Sequence, residues 1–168
     1  MSAILELSTA VRTRRSDMGL TQSSVAKLSG LSRATVNQLE NGTIKDLSLS
    51  RANRLLEALG LAMTVAAPHR RLDPAERKSP ALDLAARSAS VSFRTMLTPR
   101  ALREILAGGA VPVDLRPHVF ALLDEVPVSL LAAVVEQMYF EQKIERPRTW
   151  KRMRELAQVL KSNRELWQ

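Results

Sequence analysis

Thr21 to Gly42 reads TQSSVAKLSGLSRATVNQLENG, and its side chains fit two short helices meeting at a tight corner. Thr21 suits the position that caps a helix by accepting from a free N–H of its opening turn. Gly30 supplies a residue whose φ turns positive without the penalty a Cβ would bring. Ser32 caps the second helix, and Asn41-Gly42 ends it. Val25, Leu31, Val36 and Leu39 fall on the faces that meet, and Ala26 is small enough to let the two helices approach closely.

Working outward, Ile4 to Met18 carries apolar residues at helical spacing (Ile4, Leu7, Val11, Met18), with Arg12, Arg14 and Arg15 off that stripe and Gly19 as its end. Beyond the corner, Ser48 or Ser50 caps a helix that runs to Leu59, with Leu55, Leu56 and Leu59 inward and Gly60 as its stop. Leu61 to Ala67 (LAMTVAA) alternates weakly and predicts a short strand. A single strand at the edge of a small helical domain needs a partner for its backbone groups, and a second subunit supplies one. These features place a first domain at 1–67.

Residues 68–80, PHRRLDPAERKSP, carry three prolines and four basic residues (Arg70, Arg71, Arg77, Lys78) with little to bury, the composition of a linker. From 81 to 168 the periodicity is helical again. Helices are expected over Leu82–Phe93, after the Thr98-Pro99 cap, from Pro117, from Pro127 to Phe140 as the buried centre of a second domain, and from Pro147. The chain is therefore expected to be all-α, with a helical interaction domain at 81–168.

Charge is unevenly divided over a chain of net +8. Residues 1–67 hold eight Lys/Arg against five Asp/Glu, residues 68–103 eight against three, and residues 104–168 nine of each. A positive field over the first half favours a nucleic-acid partner there, and the neutral second half suits a protein surface. The absence of cysteine removes disulfides and thiolate metal sites. No secretory signal pattern opens the sequence, and the longest apolar run, Val126 to Val135, is too short to cross a bilayer; a cytoplasmic, nucleoid-associated protein is expected. His69 and His118 have no partner at metal-ligand or catalytic spacing and read as loop or surface residues. Gly108-Gly109 is a helix stop rather than a phosphate loop, and Asp124-Glu125 suggests helix-end charge rather than an acid–base couple. No catalytic residue, metal ligand or cofactor emerges, so no enzyme is expected.

Two helices at this corner meet the requirements of a helix-turn-helix, whose second helix enters the DNA major groove. Gln22, Ala26, Gly30, Val36 and Glu40-Asn41-Gly42, within flanking helices over about residues 4–60, resemble the lambda-repressor-like (Xre) family. The helix ending at Gly60 with LAMTV after it is similar to HipB-type antitoxin repressors over residues 4–67. The resemblance implies a five-helix DNA-binding domain with a short dimerising strand. It also implies a homodimer on a palindromic operator in double-stranded DNA, with recognition helices about 10 base pairs apart. Arg33 is expected to read guanine, Gln38 adenine and Ala34 a thymine methyl. Gln22, Ser32, Thr35, Asn37, Asn41, Thr43 and Lys45 are expected on phosphates. Arg15 and Glu40 are expected to form a structural pair, with Arg12 or Arg14 as alternative partners. The function implied is a repressor, as the antitoxin of a toxin–antitoxin pair whose C-terminal domain holds a cognate toxin. The alternative is a plain Xre-type regulator whose C-terminal domain oligomerises or senses a ligand.

Overall fold

A computed structural model describes residues 3–64 and 80–168 of the protein. Four helices make the N-terminal part: α1 (Ala3–Asp17), α2 (Gln22–Ser29), α3 (Arg33–Glu40) and α4 (Leu49–Ala58). Five more follow: α5 (Ala81–Ser88), α6 (Pro99–Leu106), α7 (Arg116–Glu125), α8 (Val128–Gln142) and α9 (Arg146–Val159). Single 3-10 turns lie at Val113–Leu115 and Glu165–Trp167. The described residues are thus all helical, with four N-terminal helices rather than the five expected. Leu61–Thr64 adopt neither helix nor strand. The rest of the expected strand (65–67), most of the expected linker, His69, and Arg70, Arg71, Arg77 and Lys78 lie outside the described residues.

Local chemistry sets the ends of these helices. Thr21 Oγ1 accepts from Ser24 N at 3.0 Å, Ser32 Oγ from Thr35 N at 3.0 Å and Thr98 Oγ1 from Ala101 N at 3.1 Å, each satisfying a donor that helix geometry leaves free. Gly30 ends α2 at φ +68°, in the left-handed region that only glycine enters freely.

Apolar side chains form one continuous core, not two. It runs from Val11, Val25, Val36 and Leu39 through Leu55 and Leu59 to Leu82, Leu131, Met138 and Trp150. α4 packs on α8, α1 on α9, and α2 on the last 3-10 turn. α8 lies at the centre as its composition predicts, with Leu131, Ala132, Val134, Val135 and Met138 buried. Its last turn differs from expectation, because Phe140 is 64% exposed: no helix among the described residues covers that side. α5 also stops five residues short of Phe93, where the chain turns toward α6.

His118 corrects the expectation of a surface histidine. It is 1% exposed in the first turn of α7, its ring 4.3 Å from that of Phe93. Nε2 lies 2.8 Å from the Thr95 carbonyl, so that nitrogen carries the proton and donates. The periodicity of α7 turns His118 inward with Val119 and Leu122, and the loop after α5 covers it.

Arginines of the C-terminal segment hold the fold by binding carbonyls at helix ends, where the backbone lacks donors and the helix dipole is negative. Arg152 donates to Ile105 O at 3.2 Å and Gly109 O at 2.6 Å beyond α6. Arg164 donates to Leu123 O at 3.1 Å and Val126 O at 2.6 Å beyond α7, and Arg154 donates to Met18 O beyond α1.

The two halves pack tightly at Gly60. A Cβ there would stand 2.7 Å from Val128 O and 3.0 Å from Ala132 Cβ, and φ is +65°. Gly60→Ala is expected to lower stability by about 1–3 kcal/mol, from strain and from pushing α8 off α4. Urea unfolding of the two proteins measures it.

Candidate nucleic-acid interface

α3 packs against α1 and α2 through Val36 and Leu39, both fully buried. That burial directs the opposite face outward. Ala34, Asn37, Gln38 and Asn41 recur at the spacing of one helix face, and all four are exposed, as is Arg33 at the N-terminus. None of the hydrogen bonds among the described residues uses the side chain of Arg33 or Gln38. Both therefore remain available to an outside acceptor or donor.

The remaining polar residues of the corner bond to one another. Ser32 and Thr35 share the cap of α3, their hydroxyls 2.8 Å apart. Asn41 Nδ2 donates to Asn37 Oδ1 at 3.1 Å, Asn37 Nδ2 to Gln22 Oε1 at 3.3 Å, and Gln22 Nε2 to Glu40 Oε2 at 3.0 Å. Thr43 Oγ1 donates to Gln38 O at 3.2 Å, closing the loop after α3, and Lys45 projects from that loop into solvent. Each of these groups keeps unused hydrogen-bonding capacity, so bracing the helix and touching a phosphate are compatible roles for one side chain.

Glu40 anchors this network. Its side chain is 3% exposed and receives Arg15 as a fork, Nε to Oε1 at 2.6 Å and Nη2 to Oε2 at 3.0 Å. Arg15 Nη1 also donates to Leu20 O at 3.0 Å. Of the three arginines available on α1, Arg15 bonds to Glu40. Arg14 turns the other way, to Glu136 of α8 at 3.4 Å, and Arg12 stays exposed, adding a favourable charge near Glu40. Burial alone would push the Glu40 carboxyl up. The hydrogen bonds from Arg15 and Gln22, with the Arg15 charge, outweigh burial and hold it below the usual carboxylate range.

Residues 11–65 match the family model described as helix-turn-helix. This segment is an Xre-like helix-turn-helix domain. The family is one of DNA-binding transcriptional regulators, and the matched residues include α2, α3 and α4. The match does not reach the HipB-type branch, and it ends before the C-terminal helices. No curated protein and no solved structure matches the chain. Among the described residues, no group of His, Asp and Glu is arranged to hold a metal, and no single helix is long and apolar enough to cross a membrane.

Sequence reasoning missed two residues outside this segment that reach it, Arg154 and Glu165. Arg154 bonds the corner between α1 and α2 from 136 residues away, and Lys27 of α2 pairs with Glu165 at 3.1 Å. Neither residue belongs to a motif, and no local spacing announces either contact.

Because the folded-state pKa of Glu40 is depressed, its stabilisation is present above the unfolded carboxylate value and is lost as pH falls through the lowered one. Glu40→Gln is expected to cost about 3 kcal/mol at neutral pH, since it leaves Arg15 without its counter-ion. The variant should also lose stability less steeply than the wild type between about pH 7 and about pH 3. Urea denaturation at several pH values measures both effects.

Proposed function

We propose that the protein is a sequence-specific, DNA-binding transcriptional repressor that acts in the cytoplasm at the nucleoid. It docks α3 in the major groove as half of a homodimer on a palindromic operator. The carrying observation is the contrast on α3: the residues able to read bases are unbonded, while those behind them are tied into the helix-turn-helix segment. Arg33 reads guanine through O6 and N7, Gln38 reads adenine one turn further on, and Ala34 meets a thymine methyl. Gln22, Ser32, Thr35, Asn37, Asn41, Thr43 and Lys45 hold phosphates and fix the register. The linker cations Arg70, Arg71, Arg77 and Lys78 add phosphate contacts without sequence preference.

Residues 81–168 serve as the interaction module. Phe140 and Leu84, 64% and 42% exposed, line a groove of about 700 Å³ between α5 and α8. Its lining carries one basic residue, Arg14, and two acidic ones, Glu136 and Glu141. These features support a protein partner, and a toxin made from the same operon is the version in which the repressor is an antitoxin. The same groove supports the alternative, in which the module oligomerises or senses a ligand. Expression together with the product of the neighbouring gene separates the two: co-purification and loss of that product's toxicity are the antitoxin outcome.

Arg33→Ala is expected to weaken binding to the preferred duplex by about 1–3 kcal/mol and to relax preference at one base pair. Selection from a random pool, followed by fluorescence anisotropy on single-base variants, measures both. An equal loss on every sequence would make Arg33 a phosphate ligand instead.

A further inference from the structure

The corner from Met18 to Gln22 is where three parts of the protein meet. Met18 O accepts from Arg154 of α9. Leu20 O accepts from Arg15 at 3.0 Å, and that guanidinium is the one that grips Glu40 of α3. Gln22 donates to the same carboxylate and accepts from Asn37 on the exposed face of α3. An unbroken path of charge-assisted and neutral hydrogen bonds therefore runs from α9, through five residues of backbone, into α3. The guanidinium of Arg154 also lies over Gly19, whose φ is +63°; a Cβ there would stand 3.0 Å from Nη1. Arg154 is thereby seated against the backbone of the corner.

The seat is supported from both sides. Arg154 follows Met153, which is fully buried in the shared core beside Trp150. Arg14, one residue before Arg15 on α1, bonds to Glu136, which Arg146 of α9 holds at 2.8 Å. Neighbouring arginines of one helical turn thus face opposite ways: Arg14 toward the C-terminal helices, Arg15 toward α3.

We propose that Arg154 is a positioning residue for DNA reading: by holding the Met18 carbonyl it fixes the corner from which Arg15 and Gln22 orient α3. The proposal rests on the reading of α3 as the DNA-contacting helix. It makes the C-terminal helices part of the DNA-binding machinery rather than a passenger behind it. A partner that shifted α9 would change the angle at which α3 is presented.

The test uses the full chain. A duplex is selected from a random-sequence pool with the wild type, and its affinity is compared with that of a scrambled duplex by fluorescence anisotropy. Arg154→Met keeps the aliphatic stem and removes the donors. The expected result is a fall of about tenfold in the ratio of selected to scrambled affinity, with scrambled binding unchanged and the near-ultraviolet signal of Trp150 and Trp167 retained. Arg154→Lys restores one donor and should recover part of the ratio. A residue that only adds stability would leave the ratio unmoved well below the melting temperature, and that outcome overturns the proposal. An equal fall on both duplexes, marking a direct phosphate contact, overturns it as well. If Arg154→Met does not fold, Gly19→Ala disturbs the seat from the other side, and a folded Gly19→Ala protein with the full ratio overturns the proposal. A wild-type chain that binds DNA but selects no duplex overturns the reading of α3 itself, which is a different failure.

Discussion

The buried carboxylate of Glu40 is the constraint around which the DNA-binding half is arranged. A charged group almost removed from water is tolerable only with a counter-ion in good geometry and its other lone pairs occupied. Arg15 supplies the fork and Gln22 the third hydrogen bond. Satisfying this one carboxylate fixes how α1, the start of α2 and the end of α3 stand relative to one another. Such a pair adds little net stability compared with an apolar replacement. What it supplies is orientation, because a guanidinium fork tolerates less angular error than a contact between methyl groups. Apolar packing of Val36 and Leu39 alone would hold the helix with less angular precision.

The C-terminal half solves a related problem with the same residue type. The last carbonyls of each helix lack intrahelical donors and need other partners. Arg152, Arg154 and Arg164 each place a guanidinium against one of these ends, joining α6, α7 and α1 to the last stretch of chain. Four arginines of this half, Arg146, Arg152, Arg154 and Arg164, are therefore engaged in holding the fold. Net charge there reports on structure as much as on a partner.

Much of this was legible in the sequence where the signal is local. The Thr21, Ser32 and Thr98 caps, the Gly30 corner and the inward stripe of Val25, Val36 and Leu39 depend on neighbours within a turn or two, so spacing revealed them. The extent of α5 and the exposure of Phe140 were not legible, because each depends on which element covers a given face. His118 shows the same limit: a lone histidine carries no periodic signal, and its burial follows from a loop that closes over α7. Sequence also suggested a linker between two units, whereas the cores of the two halves are continuous. Nothing in the composition of Leu59 or Leu131 reveals that they belong to the same cluster. As for the site, the residues of α3 could be named from the motif, but the choice among Arg12, Arg14 and Arg15 required the angle at which α1 crosses α3.

The closeness of Gly60 to the backbone of Val128 has an evolutionary side. Helix-turn-helix segments are natural candidates for exchange between chains, since a compact reader joined by a hinge can be cut out and attached elsewhere. Here the seam has no tolerance for that. The residue that ends α4 must lack a side chain because α8 lies against it, and α8 must begin at that point to complete the apolar interior behind α1. A recombinant carrying only the first half would inherit a glycine with nothing to fit against and an uncovered oily flank. Changes in size on one side of the seam must therefore be answered on the other.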